Sequence, residues 1–207
     1  MKTLKIWVLC LLLGTVWDVC LARDLKQNKD TTTKVASVDG PYVLYDETGR
    51  MRVIHVDEHG VLQDRVYDEV PEGFKLNVVS QKGGHRFQVK LHPVERPLWK
   101  SGQREKTLII SDPHGDLESF VSVLRNNGVI GKNYKWKFGK NQVIVIGDVF
   151  DRGKDVLPIF WLMYKLEQEA KDAGGVMTFM LGNHEEMVLR GNLKYTRSKY
   201  KDLATSL

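Results

Sequence analysis

The stretch VIVIGDVFDRG, residues 143–153, passes from an apolar run into a turn rich in aspartate and glycine. The β-branched run predicts a buried strand over residues 143–146, which a glycine ends. Asp148, Asp151 and Arg152 follow the end of that strand. Because ligands bind at the carboxyl ends of strands in open α/β sheets, this stretch predicts both a fold class and a site.

Two other segments repeat this pattern of a strand that ends in potential metal ligands. One carries Asp112 and His114, and the other carries Asn183 and His184. The predicted strands are 107–110, 143–146 and 176–181, and the predicted helices are 116–126, 155–171 and 185–190. The resulting βαβαβα order predicts a parallel sheet covered by helices, and therefore an α/β fold.

The polar residues at the strand ends have the chemistry of a metal site. Asp112 and His114 are two positions apart, so in extended backbone both side chains point towards one ion. Asp148 adds a carboxylate and Asn183 a neutral amide oxygen, a set that suits Mn²⁺, Fe or Zn²⁺. Taken singly, these residues also fit ordinary turns and helix caps, and Arg152 fits a surface salt bridge.

Together, the three segments resemble the DxHG, GDxxDRG and GNHE signatures of the calcineurin-like metallophosphoesterases, in the same order. The form GDVFDRG with LGNHE is most similar to the bacterial, Shewanella-like branch of the PPP-type phosphatases. The resemblance covers roughly residues 106–190. It implies the N-terminal half of an αββα sandwich, and metal-dependent hydrolysis of phosphate monoesters in the manner of a serine/threonine phosphatase.

The same resemblance implies two divalent metal ions (Mn, Fe or Zn) and their ligands. Asp112 and His114 would hold the first metal, Asp148 would bridge both, and Asn183 would hold the second and contact the phosphate. Two such ions clamp the phosphoryl group of a phosphorylated substrate between them.

Three residues carry implied catalytic roles. His184 would be the general acid that protonates the leaving oxygen, and Asp151 would orient its imidazole. Arg152 would bind the phosphate oxygens, for which a planar guanidinium is well suited.

The chain departs from the family pattern after His184, its last histidine. The family's second half supplies two more histidine ligands, so here the second metal keeps only Asp148 and Asn183. A catalytic ion usually has three protein ligands. Three explanations stay open: a fragment of a longer product, which we favour, completion by another chain, or an inactive metal- or phosphate-binding scaffold. A further open alternative is a hydrolase of dinucleoside polyphosphates or phosphodiesters.

Residues 1–22 have the pattern of a secretory signal: Lys2 and Lys5, then an apolar run, then a small residue before the expected cleavage site. Both cysteines, Cys10 and Cys20, lie inside this segment. We therefore expect an exported, periplasmic or extracellular protein without disulfides and, after cleavage, without a membrane anchor. An uncleaved anchor is the alternative.

The rest of the chain divides by composition. We predict a linker over 23–40, a small all-β unit over 41–92, a linker over 93–105 and a partial metallophosphoesterase domain over 106–207. The β unit contains five short strands, and we assign it to no family. A unit of about fifty residues has a thin core and is expected to pack on another part of the chain.

The formal net charge of +5 predicts a mildly basic surface. No block of Lys and Arg is dense enough to predict a nucleic-acid partner. The basic segment 190–201 is interpreted as a solvated helix face, and the oligomeric state is left open.

Overall fold

The computed structural model describes residues 37–82, 84–96, 100 and 102–207. The predicted signal segment 1–22 and most of the predicted linker 23–40 lie outside these residues, so export stays a prediction. Within the part of the chain that is described, no helix combines the length and the apolar character that crossing a membrane requires.

Five antiparallel strands form the first part of the described chain: β1 Asp39–Tyr45, β2 Met51–Val56, β3 Leu62–Tyr67, β4 Lys75–Val79 and β5 Arg86–Lys90. The first three make a meander, and β4 and β5 make a separate hairpin. Alternation along β4 and β5 buries Leu76, Val78, Phe87 and Val89. The predicted all-β character is confirmed.

Strand β1 begins two residues before position 41, where we predicted the start of the β unit. The strand begins at Asp39, which is buried although the sequence places it in a polar segment. Its carboxylate accepts hydrogen bonds from the Gly40 N–H and from the Tyr42 hydroxyl, both at 2.9 Å. A satisfied carboxylate of this kind can be buried, and composition alone does not reveal it.

The second part contains β6 Thr107–Ile110, α1 Leu117–Asn126, β7 Gln142–Ile146, α2 Val156–Asp172, β8 Val176–Met180, α3 Asn183–Leu189 and α4 Ser198–Ser206. Strand β7 lies between β6 and β8, and both pairings are parallel. Asp116 caps α1 by accepting from the N–H and the hydroxyl of Ser119. The predicted parallel sheet with helices is therefore confirmed.

The antiparallel strands pack on α2, as the thin core of the β unit leads us to expect. The indole N–H of Trp161 donates to the carbonyl of Pro41 at 2.8 Å. The ring of Tyr164 stacks on His92 with 3.8 Å between centroids. Helix α2 therefore contributes to one continuous apolar core with both parts of the chain.

Helix α4 corrects the interpretation of the basic segment 190–201 as a solvated face. Lys199 and Tyr200 are buried there, and so is Leu203 one turn later. Lys199 pairs with Asp39, whose oxygen lies 3.4 Å from the ammonium nitrogen. The basic residue is buried because its partner comes from the distant strand β1.

The two faces of the parallel sheet differ in burial. Val143 and Val145 of β7 are buried, whereas Ile109, Ile146 and Met180 on the opposite face are 58%, 46% and 53% exposed. The register places these three residues on one side, because Ile109 pairs with Ile144 and Ile146 pairs with Met180. Parallel sheets usually have both faces covered, so this bare face is unusual.

Candidate metal centre

The loops that follow β6, β7 and β8 meet at one end of the sheet, and two glycines allow the closest approach. A Cβ atom on Gly147 would lie 2.3 Å from the nitrogen of Gly182. One on Gly182 would lie 2.3 Å from Oδ1 of Asp148. Any larger residue would push the loops apart, so the Asp148 carboxylate reaches its position only beside glycines.

Left-handed backbone is concentrated at this site. Among the described residues, six that are not glycine have a positive φ: Asp112, His114, Tyr134, Asp148, Asp151 and Arg152. All but Tyr134 are residues that the sequence assigns to the site. Each such conformation costs on the order of 1–3 kcal/mol and persists only where its surroundings hold it.

Backbone hydrogen bonds between loops hold that strained geometry. The His114 N–H donates to the carbonyl of Asp148 at 2.9 Å, and the Gly153 N–H donates to the carbonyl of His114 at 2.8 Å. The Asp112 N–H donates to the carbonyl of Gly147 at 3.3 Å. The first two loops are therefore joined directly to each other.

Glu185 anchors the loop after β7 and was missed by the sequence analysis. Its side chain is fully buried, and its carboxylate accepts four backbone N–H groups. These come from Asp148 at 2.7 Å, Val149 at 2.8 Å, Phe150 at 3.0 Å and Gly182 at 2.7 Å. Two local signals could have identified it: its place at the end of the GNHE segment, and the position of an acidic residue in the first turn of a helix.

Three side chains form a group that could hold a metal ion. One ligand atom each of His114, Asp148 and His184 lie within 4.8 Å of one another. The carbonyl of Phe150 accepts from Nδ1 of His114 at 2.8 Å, which leaves Nε2 of that ring with a free lone pair. Such a bond to the other ring nitrogen is the usual support of a metal-binding histidine.

The remaining predicted ligands lie at the edge of this group. Oδ1 of Asp112 is 3.6 Å from Nε2 of His114, and the Asp112 side chain is largely exposed. Asn183 begins α3 with an exposed side chain. Asp148 uses Oδ1 to accept the N–H of His184 at 2.9 Å. The donor set of carboxylates and imidazoles fits a borderline or hard divalent metal.

The predicted acid and its orienting residue form a buried pair. Nδ1 of His184 lies 2.8 Å from Oδ2 of Asp151, and the two residues are 4% and 2% exposed. The carboxylate requires a proton on Nδ1, so Nε2 is the nitrogen that faces the site. Nη2 of the exposed Arg152 lies 3.5 Å from that Nε2. The structure thus brings all three implied catalytic residues together.

Three strand ends gather histidine, carboxylate and arginine around one point, as the motif resemblance to the metallophosphoesterases implies. Residues 105–205 match the family model described as calcineurin-like phosphoesterase. This part of the chain is therefore similar to calcineurin-like phosphoesterase domains.

The chain is also similar to individual proteins of this kind. It is 39% identical over 95 residues to Shewanella-like protein phosphatase 2 of Arabidopsis thaliana, covering 46% of this chain. It is 31% identical over 107 residues to the bis(5'-nucleosyl)-tetraphosphatase PrpE of Oceanobacillus iheyensis, covering 46% of this chain and 41% of that protein. A crystal structure of a cold-active protein-tyrosine phosphatase from a Shewanella species matches 83% of the chain at 29% identity, with a TM-score of 0.60.

The extent of these matches bears on the domain organisation. The structural match covers 83% of the chain, more than residues 105–205 alone account for, so it extends into the antiparallel strands that we assigned to no family. The chain spans 24% of the length of the Arabidopsis protein and 50% of the Shewanella chain.

Proposed function

We propose that this chain belongs to a metal-dependent phosphomonoesterase with a two-metal centre. The observation that carries the proposal is the meeting of His114, Asp148 and His184 within 4.8 Å, beside the buried Asp151. A phosphorylated substrate is the partner that such a centre requires. We propose further that the protein is exported, on the evidence of residues 1–22.

The ligand assignment rests on the motif resemblance and is supported by the closeness of His114 and Asp148. Asp112, His114, Asp148 and Asn183 would hold divalent metals, of which Mn²⁺, Fe and Zn²⁺ suit the donor types. A bound pair supplies charge neutralisation at the phosphoryl oxygens and an activated water.

The chain's own residues provide the remaining chemistry. Protonated His184 donates from Nε2 to the leaving oxygen, while Asp151 holds Nδ1 and stabilises the charged imidazole. The exposed guanidinium of Arg152 is free at its outer edge to bind two phosphate oxygens. Its distance of 3.5 Å from Nε2 of His184 supports a phosphate bound by Arg152 next to the proposed proton donor.

A second candidate is the hydrolysis of dinucleoside polyphosphates. The similarity to the tetraphosphatase PrpE, 31% identical over 107 residues, favours it. The bound phosphoryl group and the proton donor would be used in the same way. The two functions differ only in what the leaving group is.

The test combines calorimetry with Mn²⁺ and turnover of p-nitrophenyl phosphate and diadenosine tetraphosphate. Asp148→Asn should abolish metal binding and reduce turnover by about a hundredfold or more, because it removes a central ligand. Asp116→Asn is the matched control: it removes a nearby charge, and asparagine caps a helix equally well.

Equal turnover by Asp148→Asn and the parent would contradict the assignment. Preference for the dinucleotide would favour the second candidate. Binding of Mn²⁺ without turnover of either substrate would support the inactive, metal-binding alternative instead.

A further inference from the structure

The segment between α3 and α4 lies against the loop that carries the predicted catalytic residues. The Arg152 N–H donates to the carbonyl of Tyr195 at 3.3 Å, and the side chain of Arg197 donates back to the carbonyl of Arg152. Between them, the hydroxyl of Thr196 donates to Oδ1 of Asp151 at 2.8 Å. Neither motif resemblance nor periodicity pointed to Thr196.

This hydrogen bond gives the Asp151 carboxylate a hydrogen-bond partner at each of its two oxygens. Oδ2 holds His184 and Oδ1 holds Thr196, both at 2.8 Å, and all three residues are buried. A carboxylate held at one oxygen can rotate about its Cβ–Cγ bond, whereas one held at both oxygens presents a single orientation. The imidazole of His184 then has one direction in which its Nε2 points.

Helix α4 begins two residues after Thr196 and holds that residue in place through contacts with two other parts of the chain. The hydroxyl of Tyr200 accepts from the Val156 N–H at 3.1 Å and donates to the carbonyl of Lys154 at 2.9 Å. The ammonium of Lys199 donates to the carbonyl of Val38 at 3.0 Å and pairs with Asp39. The helix is therefore attached both to the start of α2 and to strand β1.

We propose that Thr196 is a positioning residue for the general acid. It acts through Asp151, holding the carboxylate so that Nδ1 of His184 keeps its proton and Nε2 faces the leaving oxygen. Its relevance to catalysis rests on the proposed function, whereas the hydrogen-bond chain itself does not.

A purely structural hydroxyl and a positioning hydroxyl give different results by proton NMR. The Nδ1 proton of His184 lies in a buried bond to Asp151, and its slow exchange with water should give a far-downfield resonance. Thr196→Val keeps the shape and removes the donor. We expect this resonance to move upfield and its exchange with water to become about tenfold faster, since one buried hydrogen bond is lost.

Two variants make the comparison specific. Thr196→Ser restores the hydroxyl and should keep the parental resonance. Thr178 is a half-buried residue of strand β8, and Thr178→Val makes the same chemical change there. This variant should leave the resonance of the His184 Nδ1 proton unchanged. A parental signal in Thr196→Val, or an equal change in Thr178→Val, would overturn the proposal.

If Thr196→Val does not fold, Thr196→Ala takes its place beside Thr196→Ser. Serine keeping the resonance while alanine loses it supports the proposal, and both keeping it overturns it. This readout needs no turnover. A parent chain that shows the expected signals but neither binds Mn²⁺ nor hydrolyses a phosphate ester would contradict the proposed function and leave the hydrogen-bond chain intact.

Discussion

The two sides of the candidate metal centre differ in how completely the described chain surrounds them. The inner side, formed by Asp151, His184, Glu185 and Thr196, is buried, and its polar groups are hydrogen-bonded to one another or to backbone. The outer side is formed by Asp112, Arg152, Asn183 and the bare sheet face of Ile109, Ile146 and Met180, and it is exposed.

The two sides therefore differ in whether the described residues satisfy and cover them. On the inner side, every buried carboxylate is matched by donors, as burial demands. On the outer side, apolar residues of a parallel sheet face solvent beside the predicted ligands. The half of the site that contains the proposed proton donor is therefore preorganised within this chain. The proposed metal ligands at the rim have fewer contacts to hold them.

The largest expected effect tests the inner side at Glu185. Glu185→Gln replaces two acceptor oxygens by one oxygen and an amino group that opposes backbone N–H donors. We expect the free energy of unfolding to fall by about 3 kcal/mol or more, measured by urea denaturation.

The neighbouring Glu186 is the matched control. It is exposed and pairs with Arg190, which directly follows α3, so Glu186→Gln should cost about 0.5 kcal/mol or less. Similar losses in the two variants would mean that the inner side is not held by the Glu185 carboxylate.

The next effect concerns the buried ion pair between Lys199 of α4 and Asp39 of β1. Lys199→Met leaves the Asp39 carboxylate buried without its partner and should lower the free energy of unfolding by about 2–3 kcal/mol. The double variant Asp39→Leu with Lys199→Met removes both charges and should lose less than the single variant. A double variant less stable than Lys199→Met would show that the Asp39 carboxylate stabilises the fold even without Lys199, through its bonds to Gly40 and Tyr42.

The same pair predicts a dependence of stability on pH. Burial raises the pKa of Asp39 above its ordinary value of 3.8 and lowers the pKa of Lys199 below 10.5. A raised carboxyl pKa contributes stability that is complete below 3.8 and is lost as the pH rises through the folded-state value. The stability difference between the parent and Asp39→Asn should therefore shrink as the pH rises from about 4 towards neutrality. A difference that grows with pH over this range would contradict the direction of the shift.

The sequence predicted the features of this comparison that depend on local pattern. Apolar runs ending in glycine, Asp and His predicted the three strands and their meeting point, because strand direction and period are local properties. The roles of Glu185 and Thr196 were not predicted, because they depend on partners that are distant in the sequence. The partners of Glu185 in the loop after β7 lie 35–37 residues away, and the partner of Thr196 lies 45 residues away. The burial of Lys199 was not predicted for the same reason, because its partners lie about 160 residues earlier in the sequence.

The smallest expected effect tests the outer side, and it uses two methionines three residues apart on β8. Met177 is 6% exposed on the covered face and Met180 is 53% exposed on the bare face. Met177→Gln buries an amide and should cost about 2–3 kcal/mol of unfolding free energy, whereas Met180→Gln should cost about 0.5 kcal/mol or less. Urea denaturation compares the two, with sedimentation velocity run on the same samples. An equal loss at both positions would mean that the bare face is covered in solution. If Met180→Gln also lowered the sedimentation coefficient, that cover would be a second copy of the chain.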